Sequence, residues 1–345
     1  MLTVYTLEQR EKWDEIVRSF SEYDTYWLSG YVKAFKIHGD GEPLLFFYNG
    51  ENVKGINVVM KRDIEEDKNF CGKLPKGQYF DFATPYGYGG WIIEGENTEK
   101  LLAEYESWCR ENGIISEFVR FHPVLKNHEL LEKNYDVVPL GDTVSLDLSS
   151  PEVIWENITS KNRNVIRKAQ KNGIEIRIGR SKELFETFRE IYNSTMDKDN
   201  ADEYYYFAPE FYESILSDLE ENAQIFCAVL DEKIIAAAIM LAANGRMNYH
   251  LSGSIREYSN LAPTNLILYE AALWGCENGC KSLYLGGGVG SGEDGLFKFK
   301  KSFYRKDDLP RFHIGKKILN KEKYNELLSL REILPESGFF PQYRA

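Results

Sequence analysis

A repeated helix ending constrains the possible fold of this 345-residue chain more than any other feature of its sequence. Trp108-Cys-Arg-Glu-Asn-Gly113 and Trp274-Gly-Cys-Glu-Asn-Gly279 share the pattern W-x-x-E-N-G at an offset of 166 residues. An amphipathic run precedes each copy, over Thr98–Trp108 and Thr264–Trp274. Asn-Gly is a common helix ending because glycine readily adopts the left-handed conformation of the cap. The repeat therefore predicts two equivalent helices in two halves of the chain.

The similarity between the halves extends to the segments on both sides of the helix. Each half is predicted to contain a hairpin, a third strand, a helix and a final strand, in that order. In the first half these are Leu44–Tyr48 with Val53–Met60, Tyr79–Ala83, Thr98–Trp108 and Ser116–Phe121. In the second half they are Ile225–Leu230 with Ile234–Leu241, Met247–Ser252, Thr264–Trp274 and Ser282–Leu285. Helical segments are predicted before the hairpins, at Leu7–Phe20, Gly30–Ile37, Val153–Asn172 and Lys182–Met196. The shared order predicts duplication of one α/β unit.

Composition excludes several classes of protein. The 22 Tyr, 20 Phe and 6 Trp are too many for a disordered chain, and a net charge of −12 argues against a uniformly basic nucleic-acid binder. The longest apolar run, Ile234–Ala243, is about half a membrane span. The N-terminus lacks a basic start followed by an apolar core, so we expect no signal peptide and a cytoplasmic protein. The five Cys and five His are dispersed, so no metal site is expected.

The predicted order of elements is the core of the GNAT acyltransferase fold, and the chain resembles the FemABX family of peptidoglycan-bridge aminoacyltransferases over nearly its whole length. The segments that carry the resemblance are Thr84-Pro-Tyr-Gly-Tyr-Gly-Gly90, Arg120-Phe-His-Pro123, the basic run Ser160–Gly173, Ser252-Gly-Ser254, Ala262-Pro263, Leu285-Gly-Gly287 and Leu296-Phe-Lys-Phe-Lys-Lys-Ser-Phe303. The last segment, with the pattern L-x-x-F-K-x-x-F, is the most specific. His122 stands where the family often has Asp.

The resemblance implies an α/β protein with mixed sheets, built from tandem GNAT-like domains without the helical-arm insertion of some members. The first domain would comprise residues 1–150 together with the returning tail 310–345 and would bind the acceptor. The second domain, residues 151–309, would bind the acyl donor and carry the catalytic residues.

The family reaction is attack of an amine on an activated acyl group, which forms a tetrahedral oxyanion that a cation can stabilise. By resemblance, Lys300 is that cation, and the Phe299 carbonyl would accept a proton from the attacking amine. The alternative is that Lys298, Lys300 and Lys301 form a solvated strand edge.

Two basic stretches stand out against the acidic chain. Residues 160–180 hold seven Lys or Arg and one Glu, and residues 298–306 hold five Lys or Arg and no acid. They indicate a phosphate-bearing partner such as charged tRNA, although a basic helix can also serve solubility. The predicted donor-binding residues are Lys161, Arg163, Arg167, Lys168, Gly287 and Gly288.

Glycine patterns bear on the donor. Gly290-x-Gly292-x-x-Gly295 lacks the helix, strand and acid of a dinucleotide fold, so we interpret residues 286–295 as a flexible loop that lets the backbone approach the donor. The segment Arg256–Ala262, where a CoA-binding loop would begin the helix, contains no glycine. This argues against acetyl-CoA.

The acceptor-binding residues are transferred from the family less directly. The predicted set is Lys36 (or Lys33), Tyr86, Tyr206, Phe211, Tyr249 and Arg256. The segment Phe207–Phe211 lacks the Arg and the Tyr hydroxyl that compact members use to hold a diphosphate, which indicates a different acceptor.

The function expected from the resemblance is transfer of an amino acid from aminoacyl-tRNA to an amine of a peptidoglycan-precursor peptide, in UDP-linked or lipid-linked form, without a further cofactor. The first alternative is an acyl-CoA-dependent N-acyltransferase acting on an amino sugar or small amine. The second is a non-catalytic binding protein on the same scaffold.

Overall fold

A computed structural model describes residues 1–331 and 338–345 and divides the chain into two compact units. The first unit comprises Met1–Leu140 and Phe312–Ala345, and the second comprises Gly141–Arg311. The boundary expected at residue 150 is therefore placed ten residues too late. The reason is that Val144–Asp147 forms a strand that pairs with Ser282–Gly286 in the second unit's sheet.

The first unit contains an eight-stranded mixed sheet, with elements numbered along the chain. Its strands are β1 (Leu2–Tyr5), β2 (Glu42–Asn49), β3 (Val53–Asp63), β4 (Phe80–Ala83), β5 (Ile92–Gly95), β6 (Ile114–Arg120), β7 (Asp136–Asp142) and β14 (Arg311–Ile318), and its helices are α1 (Arg10–Arg18), α2 (Ser29–His38), α3 (Glu99–Glu111) and α10 (Lys321–Ser329). The spatial order is β1-β2-β3-β4-β6-β14-β7, and β5 pairs with β3.

The second unit contains a six-stranded mixed sheet in the order β8-β13-β12-β11-β10-β9. Its strands are β8 (Val144–Asp147), β9 (Glu175–Gly179), β10 (Ala223–Leu230), β11 (Lys233–Ala243), β12 (Arg246–Ser254) and β13 (Ser282–Gly286). Its helices are α4 (Pro151–Asn157), α5 (Ser160–Lys171), α6 (Lys182–Asp199), α7 (Pro209–Asp218), α8 (Pro263–Glu277) and α9 (Gly295–Lys301).

The two sheets repeat one pattern of strand pairing, as the internal repeat predicts. Strands β2, β3, β4 and β6 pair antiparallel, antiparallel and then parallel, and β10, β11, β12 and β13 do the same. The parallel pair in each unit is connected by a crossover that contains α3 or α8. Each set of four strands is flanked by one further antiparallel strand on either side. These are β1 and β14 in the first unit, and β9 and β8 in the second.

The repeated W-x-x-E-N-G motif forms the same helix cap twice. The side-chain amides of Asn112 and Asn278 each donate a hydrogen bond of 2.8 Å to the carbonyl of the Trp four residues earlier. The following glycines, Gly113 and Gly279, have φ angles of +70° and +77°. In both helices the Asn side chain thus adds a second donor to a Trp carbonyl that already accepts from the Asn backbone amide, and the chain then turns into a strand.

The segment Val153–Asn172, expected to be one helix, consists of two. Ile158 and Thr159 are extended, with ψ angles of 136° and 148°, and they separate α4 from α5. The Thr159 hydroxyl accepts a hydrogen bond of 3.4 Å from the Asn162 amide and so caps α5. The break gives the basic helix α5 its own N-terminus.

The C-terminal segment completes the first unit. Strand β14 pairs antiparallel with β6, with Ile314 opposite Arg120. Further along, the Arg344 guanidinium lies 2.6 Å from the buried Asp81 carboxylate. Burial opposes ionisation of Asp81, but the charges of Arg62 and Arg344 hold its pKa below the ordinary value.

In the part of the chain that the structure describes, no helix is both long enough and apolar enough to cross a membrane. In the same residues, no three His, Cys, Asp or Glu side chains come together as a group that could hold a metal ion.

The two glycine caps form a matched pair for a stability test. A Cβ atom at Gly113 would lie 2.2 Å from the Gln78 carbonyl oxygen, whereas no atom lies within 4 Å of a Cβ at Gly279. We expect Gly279→Ala to cost about 1 kcal/mol through the positive φ alone, and Gly113→Ala to cost a further ~1–3 kcal/mol through the clash. Urea unfolding followed by circular dichroism measures both, and equal losses would contradict the described packing.

Candidate active site

The parallel strands β12 and β13 separate at the centre of the second sheet. They pair only through Arg246–Ser282, Met247–Leu283 and Asn248–Tyr284. Immediately after these paired residues, the pairing of β12 with β11 and that of β13 with β8 each become irregular. Ile239 lies opposite Leu251 and Met240 opposite Tyr249, so His250 is the extra residue of a bulge in β12, and the register of β13 with β8 shifts between Tyr284 and Gly286. Such bulges bend strands.

The separation leaves an opening between β12 and β13 that has no counterpart between the equivalent strands of the first unit. In the first unit, β4 and β6 remain joined beyond the strand, because the Thr84 amide donates to the Phe118 carbonyl and the Gly89 amide donates to the Arg120 carbonyl, at 3.0 and 2.8 Å. Backbone groups along the open side of β12 have no such neighbour in β13. Because backbone polar groups require partners, the opening in the second unit is suited to a ligand that supplies them.

Lys300 reaches the end of β13, beside this opening. It lies on α9, is only 9% exposed, and its ammonium donates a hydrogen bond of 2.8 Å to the Gly287 carbonyl. A Cβ atom built on Gly286 would lie 3.3 Å from the ammonium nitrogen. Burial lowers the pKa of Lys300 to about 8, and the charge of Asp294 opposes that shift. The ammonium is therefore mostly protonated at neutral pH, with donors available for a further acceptor.

The interpretation of residues 298–301 as a solvated strand edge is wrong for Lys300. These residues form the last part of α9, which directs Lys300 inwards and leaves Lys298 exposed. The Lys301 ammonium instead contacts the Lys306 carbonyl and lies 3.3 Å from the Asp307 carboxylate. Helical periodicity thus separates three neighbouring lysines into one buried and two peripheral cations.

The Phe299 carbonyl does not point to a free position in this structure. It accepts hydrogen bonds from the Ser302 amide at 3.2 Å and from the Ser302 hydroxyl at 2.6 Å. A carbonyl oxygen has two lone pairs, so both are engaged in ending the helix. For Phe299 to accept from an attacking amine, the Ser302 hydroxyl must first rotate away.

Asp294 holds the glycine-rich loop against α9. Its carboxylate accepts hydrogen bonds from the Phe297 amide at 2.8 Å and from the Val289 amide at 3.3 Å. A Cβ atom at Gly288 would lie 2.1 Å from the Gly292 carbonyl oxygen, so this turn requires glycine there. The segment interpreted as a flexible loop contains a 3₁₀ turn over Val289–Ser291 that is tied to the helix N-terminus. Sequence reasoning missed Asp294, although an Asp three residues before an apolar residue is a helix-start signal.

The two basic stretches meet at the Thr159–Ser302 contact. Both the amide and the hydroxyl of Thr159 donate to the Ser302 carbonyl, at 3.0 and 3.1 Å, and the Arg305 amide donates to the Asn157 carbonyl at 2.8 Å. The start of α5 is thereby fixed to the end of α9, which carries Lys300. Sequence spacing alone did not indicate this contact, since about 140 residues separate the two segments.

The predicted donor-binding cations lie together on α5. Lys161, Arg167 and Lys168 are exposed and Arg163 is half-buried. The guanidinium of Arg167 lies 4.9 Å and that of Arg163 6.0 Å from the centre of the Trp155 ring. Within the described residues, none of these four forms an ion pair with a carboxylate. They therefore present positive charge to solvent, partly ordered by the aromatic ring.

Two cations of the same predicted stretch have structural partners instead. Arg177 forms a bidentate ion pair with Glu232, at 3.0 and 3.1 Å, and Arg180 donates to the Leu216 and Ala223 carbonyls. The local charge available to a partner is therefore smaller than the count over residues 160–180 suggests. Its centre is α5 itself.

The junction of α5 and α8 is polar and incompletely satisfied. The side-chain amide of Asn265 donates a hydrogen bond of 2.8 Å to the side-chain oxygen of Asn162, and this bond joins the first turns of the two helices. Within the described residues, the buried side-chain nitrogens of Asn157 and Asn162 have no hydrogen-bond partner. Asn162 thus offers a donor in the first turn of α5, where partial positive charge accumulates, and Asn157 offers another at the end of α4.

The predicted acceptor residues have mixed outcomes. Phe211 is completely buried and stacks on Phe207 with ring centres 4.3 Å apart, so it is a core residue, and the expectation that it contacts substrate is wrong. The Tyr206 hydroxyl donates to the Asp197 carboxylate at 2.8 Å. The Tyr249 hydroxyl bonds to the Ser252 hydroxyl, and burial raises the pKa of Tyr249 to about 12. Arg256 is exposed on the 3₁₀ helix that precedes α8.

The remaining two predicted residues belong to the first unit. Lys36 is exposed near the end of α2 and forms an ion pair of 2.7 Å with Glu42. Tyr86 stacks on Phe35, with ring centres 5.4 Å apart. An exposed pair of this kind contributes little to stability, so Lys36 remains able to exchange Glu42 for another anion.

Comparisons with known proteins show similarity at the level of the domain and the fold. Residues 159–301, which hold the opening, α5 and Lys300, match a family model described as an acetyltransferase (GNAT) domain. A solved structure of FemX is similar with a TM-score of 0.66 at 15% identity, covering 94% of this chain and 99% of that one. The structure of L-PGS from Bacillus licheniformis is similar with a TM-score of 0.56 at 14% identity, covering 93% and 94%. No curated protein sequence matches significantly.

The match over residues 159–301 indicates an acyltransferase with a GNAT domain in its second unit. Its architecture is the FemABX-like tandem of two GNAT units, as the sequence predicted. The alternative of a non-catalytic binding protein is not retained.

The electrostatic environment of Lys300 can be tested directly. Asp294→Asn keeps a capping side chain but removes the charge that raises the pKa of Lys300. We expect this variant to lower that pKa below about 8, because burial is then less opposed. Heteronuclear NMR of carbon-labelled lysine side chains measures the titration, with Asp307→Asn as the control. An unchanged or raised pKa would contradict the placement of the two groups.

Proposed function

We propose that this acyltransferase moves an amino acid from aminoacyl-tRNA to an amine of a peptidoglycan-precursor peptide. The observation that carries the proposal is the buried, protonated Lys300 beside the opening between β12 and β13, fixed to a basic helix through Thr159 and Ser302. Lys300 would bind the oxygen of the reacting carbonyl, and the basic helix α5 would bind a phosphate backbone. Charged tRNA combines a reactive ester carbonyl with an extended phosphate backbone, which matches both groups.

In the proposed reaction, the acceptor amine attacks the ester carbonyl that links the amino acid to the tRNA. A carbon–nitrogen bond forms, the carbonyl oxygen becomes an oxyanion, and the Lys300 ammonium donates to it. Collapse breaks the carbon–oxygen bond, and the terminal ribose oxygen leaves with the proton that the amine loses. No covalent enzyme intermediate and no further cofactor are required by this scheme.

The donor RNA is proposed to lie along α5. Its cations have no carboxylate partners in the described structure, and Arg167 is ordered by Trp155. The unused amide donors of Asn157 and Asn162 support placing a terminal phosphate at the junction of α5 and α8. Charge concentrated on one helix can hold a polyanion although the whole protein carries −12.

The acceptor is proposed to be a peptidoglycan precursor in UDP-linked or lipid-linked form, by analogy with FemX. Lys36 and Tyr86 in the first unit, and Tyr206, Tyr249 and Arg256 in the second, remain the candidate contacts. Of these, Lys36 and Arg256 present exposed cations suited to a diphosphate.

A second candidate, acyl-CoA-dependent N-acylation of an amino sugar or small amine, is favoured by one observation. Helix α8 begins at Ala262–Pro263 without a side-chain cap, so its N-terminus can receive an anion such as a pyrophosphate. Micromolar CoA binding by calorimetry would favour this candidate over the first.

Replacing Lys300 tests the catalytic assignment. We expect Lys300→Ala to lower kcat by about 10²–10³-fold, because the oxyanion loses its cation, whereas Lys298→Ala on the exposed side of α9 changes kcat little. In the unmodified protein, the contribution of Lys300 should decline as pH rises through about 8, where the ammonium deprotonates. Circular dichroism checks folding, and unchanged turnover in a folded Lys300→Ala protein would remove the assignment.

Neutralising α5 tests the donor assignment. We expect the double variant Arg163→Gln, Lys168→Gln to weaken binding of charged tRNA and to reduce the slope of log affinity against log salt by roughly two. Arg177→Gln is the matched control, because Arg177 is already neutralised by Glu232. Affinity measured by fluorescence anisotropy across salt concentrations distinguishes them. Equal effects of the double variant and of Arg177→Gln on tRNA affinity would contradict the placement of RNA on α5.

A further inference from the structure

A small cavity lies between α6 and α7, within the second unit. Each helix contributes residues spaced three or four apart, so one face of α6 opposes one face of α7. The lining residues are Lys182, Phe185, Glu186 and Arg189 from α6, and Pro209, Tyr212, Glu213 and Leu216 from α7. The volume of about 60 Å³ accommodates roughly four to six water molecules, which is the size of a two- or three-carbon acid.

The hydroxyl of Tyr212 is the first sign that this cavity has an occupant. Tyr212 is 3% exposed, and its hydroxyl has no hydrogen-bond partner within the described residues. Burial raises the pKa of Tyr212, so the hydroxyl keeps its proton and can donate. A buried hydroxyl without a partner is unfavourable, and such groups in native proteins are usually matched by a ligand or water.

Arg189 provides a cation beside this hydroxyl. Its charge is felt by Tyr212, whose pKa it lowers against the larger effect of burial. Within the described residues, the half-buried Arg189 guanidinium has neither an ion pair nor a hydrogen bond. The other cation, Lys182, is paired with Glu213 at 3.2 Å and also faces Glu186. Of the two cations, Arg189 is the one left to attract an anion.

The rest of the lining is apolar and selects the shape of the ligand. Phe185 is 3% exposed, and Pro209 and Leu216 form further carbon surface. A guanidinium binds a carboxylate through two parallel hydrogen bonds, and a neighbouring hydroxyl adds a third. We propose that this cavity binds a small carboxylate with a short apolar body, held by Arg189 and Tyr212.

The proposed site is distinct from the acyl-transfer opening. The face of α6 that borders the cavity is different from the face that packs on β12. On that second face, the Thr195 hydroxyl accepts from the Ser254 amide at 3.0 Å, and a Cβ at Gly253 would lie 2.8 Å from the Ile191 carbonyl oxygen. The proposal therefore does not depend on the identity of the acyl donor or acceptor.

Saturation-transfer NMR with sodium propionate tests the proposal on the whole protein. We expect a saturable signal from propionate at constant ionic strength, and at least about tenfold weaker signals from propanol and propylamine, because neither carries the carboxylate that Arg189 binds. An equal signal from propanol would mean an apolar cavity only, and a stronger one from propylamine would mean recognition by the acids. Either result overturns the proposal.

Three variants locate the binding. Arg189→Gln should abolish the propionate signal, and Tyr212→Phe should weaken binding about tenfold, as expected for loss of one charge-assisted hydrogen bond. Lys182→Gln should leave binding unchanged, because Lys182 is already paired. Without ligand, Tyr212→Phe should melt at the same or a higher temperature, since it removes a buried hydroxyl that lacks a partner. Retained binding in Arg189→Gln, or a marked loss of melting temperature in Tyr212→Phe, would contradict the assignment.

Discussion

The hydrogen bond between the Lys300 ammonium and the Gly287 carbonyl is the interaction on which the site depends. Removing an ammonium from water is costly by several kcal/mol, and a lone carbonyl compensates for only part of that cost. The lowered pKa of Lys300 reflects this incomplete compensation. The cation is therefore held in place with donors unused, which is the condition for stabilising a charge that appears only during reaction.

Several local features serve this placement. Asp294 begins α9 and restrains the glycine turn, and the tight packing at Gly288 leaves no room for a side chain. At the other end of α9, Ser302 receives both donors of Thr159, which begins the basic helix α5. A short helix with cap residues at both ends thus connects Lys300 to the charged surface of α5. The duplicated first unit shares the strand order but keeps its parallel strands joined beyond β4, so it lacks the opening.

The sequence predicted the repeated strands and helices well because local physics determines them. Asn112 and Asn278 form the same cap in both halves, and the hairpins follow short polar turns. Without the family resemblance, which singled out Lys300, the sequence could not predict which lysine of residues 298–301 is buried, because that depends on whether the segment is a helix or a strand. The misassignment of Phe211 has a similar cause, since an aromatic residue next to a predicted site can equally belong to the core. The contact between Thr159 and Ser302 required the tertiary structure.

The central claim is that the second unit transfers an aminoacyl group from tRNA, and product mass tests it most directly. UDP-linked muropeptide is incubated with the protein and either mixed charged tRNA or acetyl-CoA, and the intact mass of the muropeptide is then measured. The account predicts an increase equal to one amino-acid residue with charged tRNA and no change with acetyl-CoA. An acetylated product from acetyl-CoA, with no product from charged tRNA, would contradict it.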